Sequence, residues 1–183
     1  IRIVETFGFH LAHLDIRQNS SYHDKAISLL LQAAGGNGRD YEKWDTEKRL
    51  EFMNQELQTN RPFAHPKVQL KDEANATVSA LSVVAEHVDR YGAETIGSLI
   101  VSMTRSVTDL LTVYILARES GLTVQTDEGP ACILPVVPLF ETIEDLQNSK
   151  EILKAFIQHP FTQRSLKLQM KLRGDKRLTQ QVM

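Results

Sequence analysis

The sequence predicts a helix-rich α/β protein built around a parallel sheet. Three short stretches rich in Ile, Leu and Val have the length and composition of buried strands. Each is followed by a longer segment in which apolar residues recur at the spacing of a helix. Because alternating strands and helices form βα units, whose strands run in one direction, we expect the three strands to share one parallel sheet.

The three predicted strands follow one another at wide intervals along the chain. They cover residues 9–18, 96–104 and 132–141. The third contains Pro135 and Pro138, and each proline removes one hydrogen-bond donor from a sheet ladder. This weakens its assignment as a strand, which otherwise depends on its nearly continuous apolar sequence.

The helices after these strands have recognisable ends. The first is predicted over residues 22–34, ahead of two glycines. The second begins with the capping-box sequence of residues 106–109 and ends at Gly121. The third begins at residues 142–145, and its apolar side chains continue at helical spacing beyond that start.

The chain is predicted to form one section of a larger fold, and this section has three consecutive parts. A first βα unit covers residues 1–35, a helical insertion covers 36–94, and the following βα units cover 95–183. Helices are expected within the insertion at residues 42–59 and 72–90. Their apolar stripes are typical of scaffold helices that pack on a core.

Composition excludes several classes of protein. The chain has 21 Lys and Arg against 23 Asp and Glu, and this net charge of −2 offers no basic surface for nucleic acid. Its single cysteine, Cys132, forms neither an internal disulfide nor a cysteine-based zinc site. Neither a membrane span nor a signal-peptide pattern is present. We therefore expect a soluble, cytoplasmic protein without nucleic-acid or membrane partners.

Polar residues of the first strand form one candidate site. Alternation places His13, Asp15 and Arg17 on one face, with Leu14 and Ile16 on the face that packs under helices. Arg17 is a candidate clamp for an anion because its planar guanidinium matches a phosphate or carboxylate group. Asp15 either orients Arg17 or forms a purely structural ion pair with it.

Glu141 ends the third predicted strand and is the second candidate. Ligand sites of parallel α/β folds collect at the carboxyl ends of strands, and carboxylates are suitable Mg²⁺ ligands. A negative charge at this position would equally stabilise the start of the next helix.

His10 and His13 are not expected to share a metal, because their odd separation places them on opposite faces of a strand. Cys132 is expected in the core.

Several strings resemble the phosphoenolpyruvate carboxylase family. Residues 14–18, with Ser20 and His23, resemble its LDIRQxSxxH segment. Collinear similarities follow at residues 48–62, 100–103, 109–111, 135–142 and 145–146, of which the first is looser. Residues 181–183 resemble the lead-in to the family's next strand.

The resemblance implies both a fold and an activity. The fold is a (β/α)8 TIM barrel, of which these residues would form a part with a helical insertion. The activity is carboxylation of phosphoenolpyruvate with bicarbonate to oxaloacetate and phosphate, with Mg²⁺ or Mn²⁺, usually in a homotetramer. By motif, Arg17 matches the family's catalytic arginine, Arg17 and Gln18 are expected to bind substrate, and Glu141 matches the first carboxylate ligand of the metal.

Two departures from the family suggest a divergent member. His13 stands where the family commonly has arginine, and Asn19 stands where it commonly has glutamate. The family's catalytic histidine and second metal carboxylate lie outside the part that this chain resembles. We therefore expect an internal section of a longer enzyme that, alone, is inactive and does not bind the metal. The alternatives are a non-catalytic carboxylase-like module for assembly or regulation, and another metal-dependent barrel enzyme that stabilises an enolate.

Overall fold

The computed structural model describes residues 1–7, 12–36, 38–65 and 68–183. Its helices are α1 (Arg2–Phe7), α2 (Ser20–Ala33), α3 (Thr46–Glu56), α4 (Asp72–Tyr91), α5 (Val107–Glu119), α6 (Ile143–Gln158) and α7 (Pro160–Arg173). Its strands are β1 (Leu14–Asn19), β2 (Ile96–Ser102), β3 (Thr123–Thr126), β4 (Gly129–Cys132) and β5 (Val136–Pro138). The helix-rich α/β class predicted from the sequence is confirmed.

A parallel sheet in the order β1, β2, β5 forms the centre of the fold. Arg17 of β1 lies opposite Ile100 of β2, which in turn lies opposite Val137 of β5. The three strands lead into α2, α5 and α6, so their carboxyl ends share one edge of the sheet. The described residues contain three strands of this sheet, and closure into a barrel stays a prediction.

Reciprocal hydrogen bonds determine where α5 and α6 begin. Thr142 Oγ1 accepts the N–H of Asp145 at 3.0 Å, and Asp145 Oδ2 accepts the N–H of Thr142 at 3.1 Å. Ser106 and Asp109 form the same capping box at the start of α5. Both helix starts predicted from the sequence are therefore confirmed.

The predicted third strand is wrong in its extent. Within residues 132–141, Val136–Pro138 alone joins the parallel sheet, whereas Cys132 belongs to a hairpin in which β4 pairs antiparallel with β3. Pro135 has no N–H to extend the ladder, and its carbonyl accepts the N–H of Leu99 at 2.8 Å. The apolar sequence therefore contains two short strands that belong to two different sheets.

The first strand also begins later than predicted. Residues 9–11 of the predicted strand lie outside the described residues, and β1 begins at Leu14. Ile16 packs against the core as expected. Leu14 was expected to do the same but is 70% exposed, because it lies at the start of an edge strand where the described residues leave it uncovered.

Helix α5 is the centre of the hydrophobic core. All of its residues from Thr108 to Arg118 are buried. Within this stretch, residues 113–117 are apolar except for the hydroxyl group of Tyr114. The Tyr114 ring lies 5.7 Å from that of Phe156 in α6 and 4.7 Å from that of Phe161 in α7. A helix buried on every side must be surrounded by other elements, so α5 connects the sheet to the outer helices.

The insertion adds α3 and α4 to the outside of this core. Its centre is a connected cluster of four aromatic side chains, Tyr41, Trp44, Phe52 and Phe63. The buried guanidinium of Arg118 in α5 donates to the carbonyl of Glu56 at 2.7 Å and lies over the Phe63 ring. These contacts hold the insertion against the helix on which the core depends.

The last described residues lie alongside β5. Met183 donates its N–H to the carbonyl of Pro138 at 3.0 Å, and its own carbonyl accepts the N–H of Phe140 at 3.0 Å. In a parallel ladder, one residue bonds to two residues of the neighbouring strand that are two positions apart, as Met183 does with Pro138 and Phe140. Met183 thus pairs with the end of β5, and residues 181–183 are those that resemble the lead-in to the family's next strand.

Replacing Phe156 with alanine tests the core assignment. Phe156 is fully buried against Tyr114, so F156A is expected to lower the free energy of unfolding by about 3–5 kcal/mol, measured by urea denaturation. The control I143A removes an apolar side chain that is 79% exposed and should change it by less than about 0.5 kcal/mol. Equal effects of the two substitutions would contradict the assignment.

Candidate active site

The carboxyl ends of the three parallel strands bring Arg17, Met103 and Glu141 together. Nη2 of Arg17 donates to Oε1 of Glu141 at 2.6 Å, and the N–H of Met103 donates to Oε2 of Glu141 at 3.1 Å. Arg17 and Glu141, two of the site residues singled out in the sequence, are therefore in direct contact. We call these three residues the strand-end cluster.

Glu141 belongs to this cluster and does not cap α6. The cap of α6 is formed by Thr142 and Asp145, which leaves both oxygens of Glu141 directed to Arg17 and Met103. Glu141 therefore makes no cap hydrogen bond to α6, and stabilisation of the helix start by its charge stays a prediction. The neighbouring Asp145 supplies the capping carboxylate, and Glu141 remains 33% exposed at the edge of the sheet.

Arg17 has capacity for a further anion. Among the described residues, Nη2 is the one guanidinium nitrogen of Arg17 with a hydrogen-bond partner. The side chain is 58% exposed, so the remaining N–H groups of its planar fork are open to solvent. An arginine held at one corner by a carboxylate and open at the others is suited to binding a phosphate or carboxylate group.

Asp15 does not orient Arg17, and it forms no ion pair with it. Its Oδ1 accepts the N–H of Ser98 in β2 at 2.7 Å. The register between β1 and β2 shifts at this point, and the carboxylate satisfies an N–H that the irregular ladder leaves unpaired. A side chain at Gly97 would overlap the Asp15 carboxylate, so the glycine permits this contact. Both predictions for Asp15 are therefore wrong.

Gln18 lies on the face of β1 opposite Arg17. Its Oε1 forms a hydrogen bond with Nε2 of His23 at 2.9 Å and accepts a longer one from Thr77 at 3.4 Å. His23 is fully buried, and this burial lowers its pKa to about 4 although the neighbouring Asp24 opposes the shift. Contact between Gln18 and substrate stays a prediction, and the observed hydrogen bonds favour a role in holding the end of β1.

Asn19, one of the two departures from the family pattern, has a local structural role. It is the N-cap of α2, and its Oδ1 accepts the backbone N–H of Ser21 at 2.8 Å and the Ser21 hydroxyl at 2.7 Å. Asparagine is among the preferred residues at this position. The helix consequently begins at Ser20, earlier than the sequence analysis predicts.

Met103 lies at the end of the second predicted strand, and the sequence analysis assigns it no role of its own. It has a φ of +56°, a left-handed conformation that costs a residue with a side chain about 1–2 kcal/mol. This conformation accompanies the turn after β2 in which the N–H of Met103 is directed at Glu141. Because the functional group is a backbone amide, no property of the side chain marks the position in the sequence.

The strand-end cluster contains one side chain of a type that binds divalent cations. Glu141 is a partly exposed carboxylate, which is the ligand that Mg²⁺ prefers. The described ranges contain no group of three or more His, Cys, Asp or Glu side chains arranged to hold a metal. Glu141 therefore has the chemistry of one ligand for a divalent cation, and the described residues do not supply a complete ligand set.

The other chemically notable residues lie away from the cluster. Cys132 is fully buried, as the sequence predicts, and burial raises the pKa of its thiol to about 12. His10 lies outside the described residues, so its arrangement with His13 stays a prediction. In the described part of the chain, none of the helices combines the length and the apolar character needed to cross a membrane.

The fold and the cluster define a class of protein. They define an α/β protein with an arginine and a carboxylate at the carboxyl ends of parallel strands, the position at which such folds bind ligands. The family model for phosphoenolpyruvate carboxylase matches residues 1–183. The chain belongs to the phosphoenolpyruvate carboxylase family.

Curated relatives agree with this assignment. The chain is 39% identical over 157 residues to the phosphoenolpyruvate carboxylase of Mycobacterium leprae, a match to 86% of this chain and 17% of that protein. It is 40% identical over 162 residues to that of Nocardia farcinica, with the same two shares. The chain thus spans about one sixth of the length of the curated relatives it matches.

Burial of His23 predicts a proton-linked loss of stability in acid. Between pH 6.5 and about 4 only the unfolded chain protonates this residue, so the free energy of unfolding falls as the pH is lowered through that window. At pH values below about 4 both states are charged and the loss is complete, at most about 3 kcal/mol.

The variant H23Q should lose this part of the pH dependence, measured as unfolding free energies at several pH values between 7 and 3.5. A contribution from His159, whose pKa burial also lowers to about 4, should remain in the variant. Identical pH profiles for the wild-type and H23Q proteins would contradict the assignment.

Proposed function

We propose that the longer protein containing this chain carboxylates phosphoenolpyruvate with bicarbonate, giving oxaloacetate and phosphate. The observation that carries the proposal is the contact between Arg17 and Glu141, two residues that match the family's catalytic arginine and first metal carboxylate. Family membership over residues 1–183 supports the same activity. The reaction is a carbon dioxide fixation by a lyase.

Arg17 is assigned the binding and neutralisation of negative charge. Phosphoenolpyruvate carries a phosphate and a carboxylate, and its bridging oxygen becomes the negatively charged enolate oxygen when the bond to phosphorus breaks and the phosphoryl group passes to bicarbonate. The exposed N–H groups of Arg17 can donate hydrogen bonds to these oxygens. Such hydrogen bonds stabilise the transition state more as negative charge builds up on the oxygens. Glu141 holds the guanidinium in place at 2.6 Å while leaving most of its fork open.

Glu141 is assigned a second role as a ligand of Mg²⁺ or Mn²⁺. When bound, the divalent cation supplies a Lewis acid that neutralises phosphate and enolate oxygens. The Met103 N–H fixes Oε2 of Glu141, which restricts the direction in which the carboxylate presents its free lone pairs. The protein's own contribution at this position is therefore the orientation of one ligand.

The residues described are expected to be inactive without the rest of the protein. An enolate must be kept from water that would protonate it, and Arg17 in this structure is 58% exposed. The cluster also supplies one carboxylate where a metal site needs several ligands. Completion of a (β/α)8 barrel, assembly into a homotetramer and a cytoplasmic location belong to the same proposal.

An assay on the longer protein tests the activity. Wild-type protein is expected to form oxaloacetate, detected with malate dehydrogenase, only when phosphoenolpyruvate, bicarbonate and Mg²⁺ are all present. R17A should lower kcat/KM for phosphoenolpyruvate by about 100-fold or more, since it removes a charged donor from the site. The control R90A, an exposed arginine on α4, should leave it unchanged.

Two results would overturn the proposal. Absence of bicarbonate-dependent turnover in the wild-type protein would favour the non-catalytic module for assembly or regulation. Turnover without bicarbonate would favour another enzyme that stabilises an enolate. Activity in the 183-residue chain alone would contradict only the expectation that these residues are inactive by themselves.

A further inference from the structure

The loop between β2 and α5 holds the Met103 amide against Glu141 in a conformation that its own sequence does not favour. Met103 is followed by Thr104 and Arg105 before the N-cap of α5, and none of these residues is a glycine. A left-handed backbone at a residue with a side chain persists only when surrounding contacts impose it. Thr104 Oγ1 donates to the carbonyl of Val101 at 2.8 Å and the N–H of Arg105 donates to Asp109 at 2.8 Å, and two further contacts come from one face of α2.

The first contact is made by the residue that begins α2. The hydroxyl of Ser20 donates to the carbonyl of Met103 at 2.7 Å. Ser20 is almost completely buried, with 1% of its surface exposed, so the donor of this hydrogen bond has little access to water. The bond ties the carbonyl of Met103 to α2 while the N–H of the same residue donates to Glu141.

The second contact lies one helical turn further along the same face. Oδ2 of Asp24 accepts a hydrogen bond from Nη2 of Arg105 at 3.0 Å, while its Oδ1 accepts one from Arg49 of α3 at 2.9 Å. Arg105 also donates to Asp109 at 2.8 Å, and the two carboxylates raise the pKa of its guanidinium. Ser20 and Asp24 are four residues apart and therefore lie on one side of α2.

We propose that Ser20 and Asp24 are positioning residues that clamp the loop 103–105 onto α2 and so direct the Met103 amide at the Glu141 carboxylate. Neither residue touches Arg17 or Glu141 in the structure, and each acts through Met103 or Arg105. Because Asp24 also holds Arg49, the clamp extends to the helical insertion. The inference concerns the same site as the proposed function and rests on it.

The test compares two adjacent serines of α2 in the longer protein. S20A removes the hydrogen bond to Met103, whereas S21A removes an exposed hydroxyl whose one hydrogen bond among the described residues is to the cap residue Asn19. The first measurement is hydrogen exchange of the peptide that contains Met103. Exchange of the Met103 amide is expected to be at least about 10-fold faster in S20A and unchanged in S21A, because loss of the clamp frees the N–H from Glu141.

The second measurement separates positioning from general loss of folding. S20A should raise the Mg²⁺ concentration needed for half-maximal activity by at least about threefold, with a smaller change in KM for phosphoenolpyruvate. Glycine adopts positive φ without strain, so adding M103G to S20A should bring the Mg²⁺ concentration for half-maximal activity part of the way back to the wild-type value. Because glycine at a positive φ also removes strain from the fold, the free energy of unfolding is measured for the same variants, and a positioning role predicts a change in Mg²⁺ dependence that does not follow it.

The possible failures are distinguishable. If wild-type protein lacks carboxylase activity, the proposed function fails, and the hydrogen-exchange comparison still tests the clamp. If the Met103 amide exchanges at the same rate in S20A, S21A and wild-type protein, the clamp is overturned whatever the activity. Faster exchange without any change in Mg²⁺ dependence would overturn the link to Glu141.

Discussion

The contact between the Arg17 guanidinium and the Glu141 carboxylate depends on the parallel register of three strands. The two residues are far apart in the chain, and β2 between them provides the Met103 amide that holds the second oxygen of Glu141. Since all three strands end at one edge, three short loops meet there without a long excursion of the chain. Where the ladder between β1 and β2 is irregular, the Asp15 carboxylate accepts the N–H of Ser98 and so links the two strands.

The helices serve the same arrangement. Because α5 is buried on every side, the strand before it and the loop that begins at Met103 are attached to a deeply buried part of the core. Capping boxes at the starts of α5 and α6 use their own acidic residues, which leaves Glu141 available to Arg17. Charged contacts through Asp24 then join this loop to the insertion, so the insertion is more than a cover for the apolar core.

Some features of this site were predictable from the sequence and others were not. Alternating βα units, the two capping boxes and the placement of Arg17 and Glu141 at strand ends follow from local patterns, and the structure agrees with them. The apolar sequence around Pro135 did not reveal that it divides between two sheets, because strand pairing is decided by distant partners. Asp15 was misassigned for a similar reason, since its partner is a backbone N–H on another strand.

The central claim is that Arg17 and Glu141 act as one unit in binding an anionic substrate. A double-mutant cycle on the longer protein tests it most directly, with kcat/KM for phosphoenolpyruvate measured for wild-type protein, R17Q, E141Q and the double variant. If the residues act together, the double variant loses little more activity than the worse single variant. If the two losses multiply, Arg17 and Glu141 act independently and their contact does not contribute to function.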